Sequence, residues 1–328
     1  MAFILNSEFE IGKYKWRGCN EVVIKKSIFD YADTATIRLP ASAVLKLKKV
    51  TTESQQTVKY FRVGDKVSIK LGYNGKLNHE FVGFVKQLNF KRPCEIECEG
   101  YSWILRNRKN IKKSWANTTL LEVLKFITAD TEIKLHPQIP DIPLKNLKIE
   151  NASGTEVIEY IKGLLKDIIT CFFIGDTLYM GLAYMDLNEG SVKHEIGWNT
   201  IDADDLKFRR AADVKVKIEI EHRKADGTQV VVSSGTEGGV VRREQIATVT
   251  DAKKLEEIAK AKLLQESYDG YEGTITTFLI PYCHPGYKSI LTDPRFNERA
   301  GTYFIESTEV TFGTGGGRRK VQIGIKLN

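Results

Sequence analysis

Apolar residues recur at every second position through the first and last thirds of this chain, and a period of two is the signature of half-buried strands rather than helices. In residues 34–39, Ala35, Ile37 and Leu39 alternate with Thr34, Thr36 and Arg38; in residues 66–71, Val67, Ile69 and Leu71 alternate with Lys66, Ser68 and Lys70. Asn74-Gly75 then supplies the pair that a two-residue hairpin prefers, because both central positions need positive φ, and residues 81–88 read as the return strand. Residues 94–99 place Cys94, Ile96 and Cys98 on one face and Glu95, Glu97 and Glu99 on the other. Short strands separated by turns predict a small antiparallel barrel over residues 1–109.

The pattern changes after the basic run Arg106, Arg108, Lys109, Lys112 and Lys113, which reads as a solvated domain edge. Thr119 with Glu122, and Ser153 with Glu156, have capping-box spacing ahead of apolar segments and predict two short helices. Between them Pro137, Pro140 and Pro143 predict an extended connector anchored by Ile139 and Ile142. Gly175-Asp176 joins two further strands, so residues 110–200 read as an α+β unit.

Strands return over residues 201–328. Val214, Val216, Ile218 and Ile220 alternate with charged residues up to a turn at Asp226-Gly227, and residues 233–240, rich in Gly and Ser, predict a flexible loop. One helix, capped by Thr250 or Asp251, carries Leu255, Ile258, Ala259 and Leu263 in a stripe. The last two strands flank Gly313-Thr314-Gly315-Gly316-Gly317, and Val321, Ile323, Ile325 and Leu327 alternate in the second. The fold class that follows is mainly β: two small antiparallel barrel-like domains, residues 1–109 and 201–328, flanking an α+β unit at 110–200.

Few residues suggest chemistry. Five cysteines, an odd number without a secretory signal ahead of them, argue against a disulfide framework and for a reducing compartment. Cys94 and Cys98 share a strand face, where four residue steps separate them by roughly 13 Å, too far for one zinc ion. Cys283 and His284 are adjacent and point oppositely in extended chain. His79, His136, His194, His222 and His284 are scattered, and Asp202, Asp204 and Asp205 lack calcium-loop spacing. The glycine run before Arg318, Arg319 and Lys320 is followed by a strand, not by the helix of a phosphate loop, and reads as a hairpin with an exposed or partner-facing basic end. Expected catalytic residues, metal ligands and cofactors are therefore none, and no apolar run approaches the length of a membrane span.

The net charge of +7 is concentrated: residues 1–110 hold 20 Lys and Arg against 11 Asp and Glu. A basic barrel with Tyr73, Phe81, Phe84 and Phe90 invites comparison with single-strand nucleic-acid binders. Phe81 and Phe84 sit among Val82 and Val85, where core packing is the default, so no specific nucleic-acid partner is expected.

Several short segments, taken in order, carry a family resemblance: Ala32-Asp33-Thr34-Ala35-Thr36, Val63-Gly64-Asp65-Lys66-Val67, Leu71-Gly72-Tyr73, Phe81-Val82-Gly83-Phe84-Val85, Glu97-Cys98-Glu99-Gly100-Tyr101, Pro285-Gly286 and Gly301-Thr302-Tyr303-Phe304-Ile305. Their order resembles the phage late control protein D family of tail baseplate hubs, similar to the T-even hub and to the first part of VgrG spike proteins. Tyr287 stands where an acidic residue commonly follows the Pro-Gly pair. The resemblance implies a structural, non-enzymatic hub of a contractile injection system, made in the bacterial host cytoplasm and placed in the virion tail baseplate. It further implies a homotrimer whose six barrel-like units join the tail tube protein to the central spike protein. The alternative is a tail-associated cell-wall hydrolase or glycan-binding protein, with the middle unit as glycan module. In a threefold ring, about +21 of charge would favour acidic tube or spike surfaces.

Overall fold

The computed structural model describes residues 4–43, 46–47, 50–51, 55–165, 168–202, 205–223, 228–246, 249 and 251–327. The N-terminal unit consists of β1 (Leu5–Ile11), β2 (Tyr14–Trp16), β3 (Glu21–Ser27), β4 (Asp30–Leu39), β5 (Lys66–Tyr73), β6 (Lys76–Asn89) and β7 (Cys94–Glu99). At the β5–β6 turn, Asn74 (φ 53°) and Gly75 (φ 80°) both take the left-handed conformation that the hairpin requires. Tyr73 and Lys76 pair across it.

The middle unit runs α1 (Ser102–Asn107), β8 (Ile111–Thr119), α2 (Leu120–Thr128), β9 (Pro143–Ala152), α3 (Gly154–Leu164), β10 (Ile169–Ile174) and β11 (Thr177–Leu182). Both capping boxes form. Thr119 Oγ1 accepts from Glu122 N–H at 3.3 Å while the Glu122 carboxylate accepts from Thr119 N–H at 3.1 Å. Ser153 and Glu156 repeat this at 3.3 and 2.6 Å. Ile139 and Ile142 of the proline connector are buried, as anchors must be.

The last unit comprises β12 (Ser191–Glu195), β13 (Thr200–Asp202), β14 (Lys207–Arg209), β15 (Val216–Arg223), β16 (Gln229–Gly235), β17 (Val240–Gln245), α4 (Ala252–Glu266), β18 (Gly270–Thr277), β19 (Lys288–Thr292), β20 (Gly301–Gly313) and β21 (Gly316–Lys326). The Asp226-Gly227 turn and the Thr250 cap lie outside the described residues. Asp251 caps α4 by accepting from Lys253 and Lys254 N–H. The loop expected at residues 233–240 is shorter than its composition suggests. Residues 233–235 continue β16, and Val240 opens β17, which pairs in parallel with β15. The terminal hairpin is likewise tighter: Gly313 pairs with Gly316, leaving Thr314-Gly315 as the turn.

The mainly-β class with an α+β middle unit is present, but the two ends do not close as separate barrels. They share one 14-stranded sheet in the order β13-β18-β21-β20-β3-β4-β7-β6-β5-β1-β2, with β12, β14 and β19 paired off this path. The joint is β3 with β20, where Ile24 faces Val310 and Val22 faces Phe312. Pairing with β20 satisfies the backbone edge of β3 that barrel closure would otherwise have to cover. Each end still wraps its own core. Phe9, Ile37, Ile69 and Phe81 belong to one, and Ile275, Tyr303, Ile305 and Ile323 to the other. A third core joins the middle unit to the small sheet β16-β15-β17 and α4, through Val157, Ile161, Ile218 and Leu255.

Candidate functional site

A groove runs across one end of the N-terminal unit. Its aromatic end is a cleft of about 680 Å³ walled by Tyr14, Trp16, Leu39, Tyr60 and Phe61. Trp16 stacks on Phe9 with ring centroids 5.5 Å apart, and Phe61 meets both Trp16 (5.6 Å) and Tyr14 (6.0 Å). β2 is the last strand of the sheet on this side, so one of its backbone edges has no strand neighbour among the described residues. Trp16 Nε1 and the Tyr60 hydroxyl are buried and unpartnered. The cleft continues past Arg17, Gly18, Cys19 and Thr314 into a second hollow of about 470 Å³, reaching Leu5 and Gly75. Burial pushes the Cys19 thiol up to about 12, which keeps it protonated and a poor nucleophile at neutral pH.

Behind the groove the first and last units are clasped by a buried ion pair. Arg319, 1% exposed, donates from both terminal nitrogens to Glu80, at 2.7 and 3.2 Å, and to the carbonyls of Cys283 (2.9 Å) and Leu279 (3.2 Å). Its guanidinium stacks 5.2 Å from the Tyr282 ring, leaving Nε as the one unpaired donor. Tyr73 adds a second tie, donating to the Gly317 carbonyl at 3.0 Å and accepting from Leu279 N–H at 3.4 Å. The expectation that the basic residues after the glycine run are exposed therefore fails for Arg319. Val321, Ile323 and Ile325 point inward at a period of two, and Arg319 has the same parity.

The other residues considered from sequence are dispersed. Cys94 and Cys98 are buried free thiols, as is Cys283, and among the described residues no three His, Cys, Asp or Glu are grouped to hold a metal ion. His194 Nδ1 lies 2.8 Å from Ser289 Oγ, and His284 donates to the Pro285 carbonyl at 2.7 Å. Burial lowers both imidazoles to about 4. His222 donates to the Ile246 carbonyl at 2.9 Å, and His136 lies 3.3 Å from Glu189. His79 is exposed. Asp204 lies outside the described residues and Asp205 is exposed. The four aromatics weighed for base stacking do not form a platform: Tyr73 and Phe81 are buried, Phe84 packs on Tyr101, and Phe90 is exposed alone. The acidic face of β7 is not a solvent face either. Glu99 is fully buried, accepting from Arg106 (2.9 Å) and Ser102 (2.8 Å), so the first member of the basic run is spent inside. Lys113 of that run lies 4.2 Å from the Phe126 ring centroid.

No protein-family model and no curated relative matches the sequence. Solved structures do match its fold. The 43 kDa tail protein of prophage MuSo2 from Shewanella oneidensis superposes with a TM-score of 0.63 at 13% identity, over 97% of both chains. A tail protein from Neisseria meningitidis MC58 gives 0.65 at 12% identity, over 97% of this chain and 96% of that one. The E. coli c3393 protein gives 0.57 at 7% identity, over 98% of this chain and 77% of that one. It is a type VI secretion component that is itself structurally similar to the bacteriophage T4 tail proteins gp27 and gp5. The chain thus has a fold shared by prophage tail proteins and type VI secretion components, in agreement with the resemblance carried by its short motifs.

Proposed function

We propose that the chain is a structural hub of a phage or prophage tail, which assembles as a homotrimeric ring and joins the tail tube to the central spike. The observation that carries this reading is end-to-end similarity in fold to two prophage tail proteins, with nearly all of each chain aligned. The architecture suits the role. Each chain carries two strand-rich units, residues 1–109 and 201–328, on one sheet, so three copies offer six such units to a sixfold tube and a single threefold axis to a spike. The sheet also ends on open strands, β2 on one side and β13 on the other, which subunits can cover. The protein then acts by assembly and by holding a passage, in the virion tail, without catalysis.

Light scattering tests the ring. The expected mass is three times that of the 37.1 kDa chain. A strict monomer at high concentration that binds neither a tail tube nor a central spike protein would overturn the reading.

A further inference from the structure

We propose that the groove at the end of the N-terminal unit is a docking site for an extended, acidic segment of another protein, seated by one aromatic or branched aliphatic side chain in the cleft between Trp16 and Tyr60. The groove is continuous: Arg17, Gly18, Cys19 and Thr314 line both the 680 Å³ and the 470 Å³ hollows, and Thr314 also borders a third of about 350 Å³. Such a course suits an extended chain better than a compact small molecule.

Three features define the occupant. The aromatic end is apolar and walled by rings that already pack on one another, so it takes a side chain rather than a stacked base. In its walls, Trp16 Nε1 and the Tyr60 hydroxyl are buried without partners among the described residues, and a shift of either ring would offer its donor to a carbonyl or carboxylate oxygen of an incoming chain. Along the middle, a Cβ on Gly18 or Gly315 would meet nothing within 4 Å, so a second backbone can approach closely. At the rim basic groups are in excess. Arg17 is exposed and forms no salt bridge among the described residues, Arg318 is exposed over Phe278, and the nearby carboxylates Glu8, Glu10 and Glu21 are occupied by Lys70, Lys15 and Arg38, although Glu8 also feels the charge of Arg17. The unpaired edge of β2 borders the same cleft and offers main-chain hydrogen bonds to a strand laid beside it.

The hub reading enters only in naming the source of this segment as a different tail component, rather than a second copy of this chain. Panning a random peptide display library on the full-length protein, followed by fluorescence anisotropy with the selected peptide, tests the inference. The expected result is a consensus rich in Asp and Glu around one aromatic or branched residue. Its binding should weaken with salt and fall at least about tenfold in Arg17→Glu, a surface change that leaves the fold intact, and in Trp16→Ala. No consensus, a basic consensus, unchanged binding by Arg17→Glu, or displacement by oligothymidylate would overturn it. Light scattering separates the two readings. A trimer lost in Arg17→Glu would make the groove a contact between copies and sink the docking proposal alone. A monomeric wild type that binds the acidic peptide would sink the hub reading alone.

Discussion

The clasp around Arg319 and the groove around Trp16 treat polar groups in opposite ways. At the clasp, a fully buried guanidinium finds a carboxylate and two carbonyls, so four hydrogen bonds bind it to β6 and to the segment after β18. At the groove, an indole N–H and a phenol are buried without partners among the described residues, beside an exposed arginine that forms no salt bridge among them. A protein core rarely leaves donors orphaned. The difference teaches that the first cluster, with every guanidinium donor but Nε paired, is closed within one chain and serves to hold it together, whereas the second, on the docking proposal, is completed from outside.

The sharpest way to break that comparison is at the clasp. Arg319→Met strands the Glu80 carboxylate in an apolar site, and the expected loss is roughly 3 to 5 kcal/mol of unfolding free energy, read by denaturant titration. Adding Glu80→Met should recover most of it, because two apolar side chains leave no unpaired charge. A single variant as stable as the parent would show that water reaches the site and that the clasp is not one.

Asp33 offers a second contrast, between two buried carboxylates on the same sheet. Glu80 has its arginine, while Asp33 has no ion-pair partner, and burial pushes its carboxyl up to about 7. A folded value above the unfolded one means that its contribution to stability is fully present below about pH 3.8 and is lost as pH rises through about 7. The expected cost at pH 8 is on the order of 4 kcal/mol, from 1.36 kcal/mol per pH unit. Asp33→Asn should therefore raise the melting temperature at pH 8 and change it little at pH 4. The buried His194 and His284 run the other way. Their lowered values make stability fall as pH drops from about 6.5 through about 4, so Asp33→Asn should keep this acid limb while flattening the fall at higher pH, to which the buried Glu306, also raised by burial, still contributes.

Smaller effects calibrate the same scale. Thr119→Ala removes a satisfied cap from α2, far from either cluster, and should cost about 1 kcal/mol by thermal unfolding. Tyr60→Phe deletes an orphaned hydroxyl from the groove and should be neutral or stabilising by up to about 1 kcal/mol. A clear destabilisation by Tyr60→Phe would mean that the hydroxyl has a partner in the isolated chain, and the contrast with Arg319 would fail.

What the sequence disclosed and what it hid follow the same division between local and long-range causes. Asn74-Gly75 and the Thr119 and Ser153 boxes are decided within four residues, so turn and cap chemistry names them directly. The pairing of β3 with β20 joins residues almost three hundred positions apart, and nothing local marks it, so two barrels are the natural reading of what is one sheet. Residues 233–235 look like loop because Ser and Gly have no bulk, yet β15 supplies their partner strand. Arg319 was legible in part: its parity with Val321 and Ile323 puts it on the buried face. Its partner was not, because the irregularity between His79 and Phe81 shifts the register in which Glu80 sits. The groove is assembled from β1–β2, the end of β4 and the β20–β21 turn, and only folding brings Trp16, Tyr60 and Thr314 to one surface.

The smallest expected change in stability is the one that decides what the groove is for. Arg17 is exposed and forms no salt bridge among the described residues, so Arg17→Glu should shift unfolding free energy by no more than about 0.5 kcal/mol. A change of this kind is nearly silent in a chain studied alone. Reversing a charge at the rim of a docking site nevertheless alters both the encounter rate and the register of an acidic segment, and the effect is largest at low salt. Stability held constant while peptide binding collapses is a pattern that a structural arginine cannot produce, just as collapse of folding without a binding phenotype is what Arg319→Met should give. Measuring both variants by both assays therefore places each cluster on one axis or the other, and an Arg17→Glu protein that unfolds easily would return the groove to the same class as the clasp.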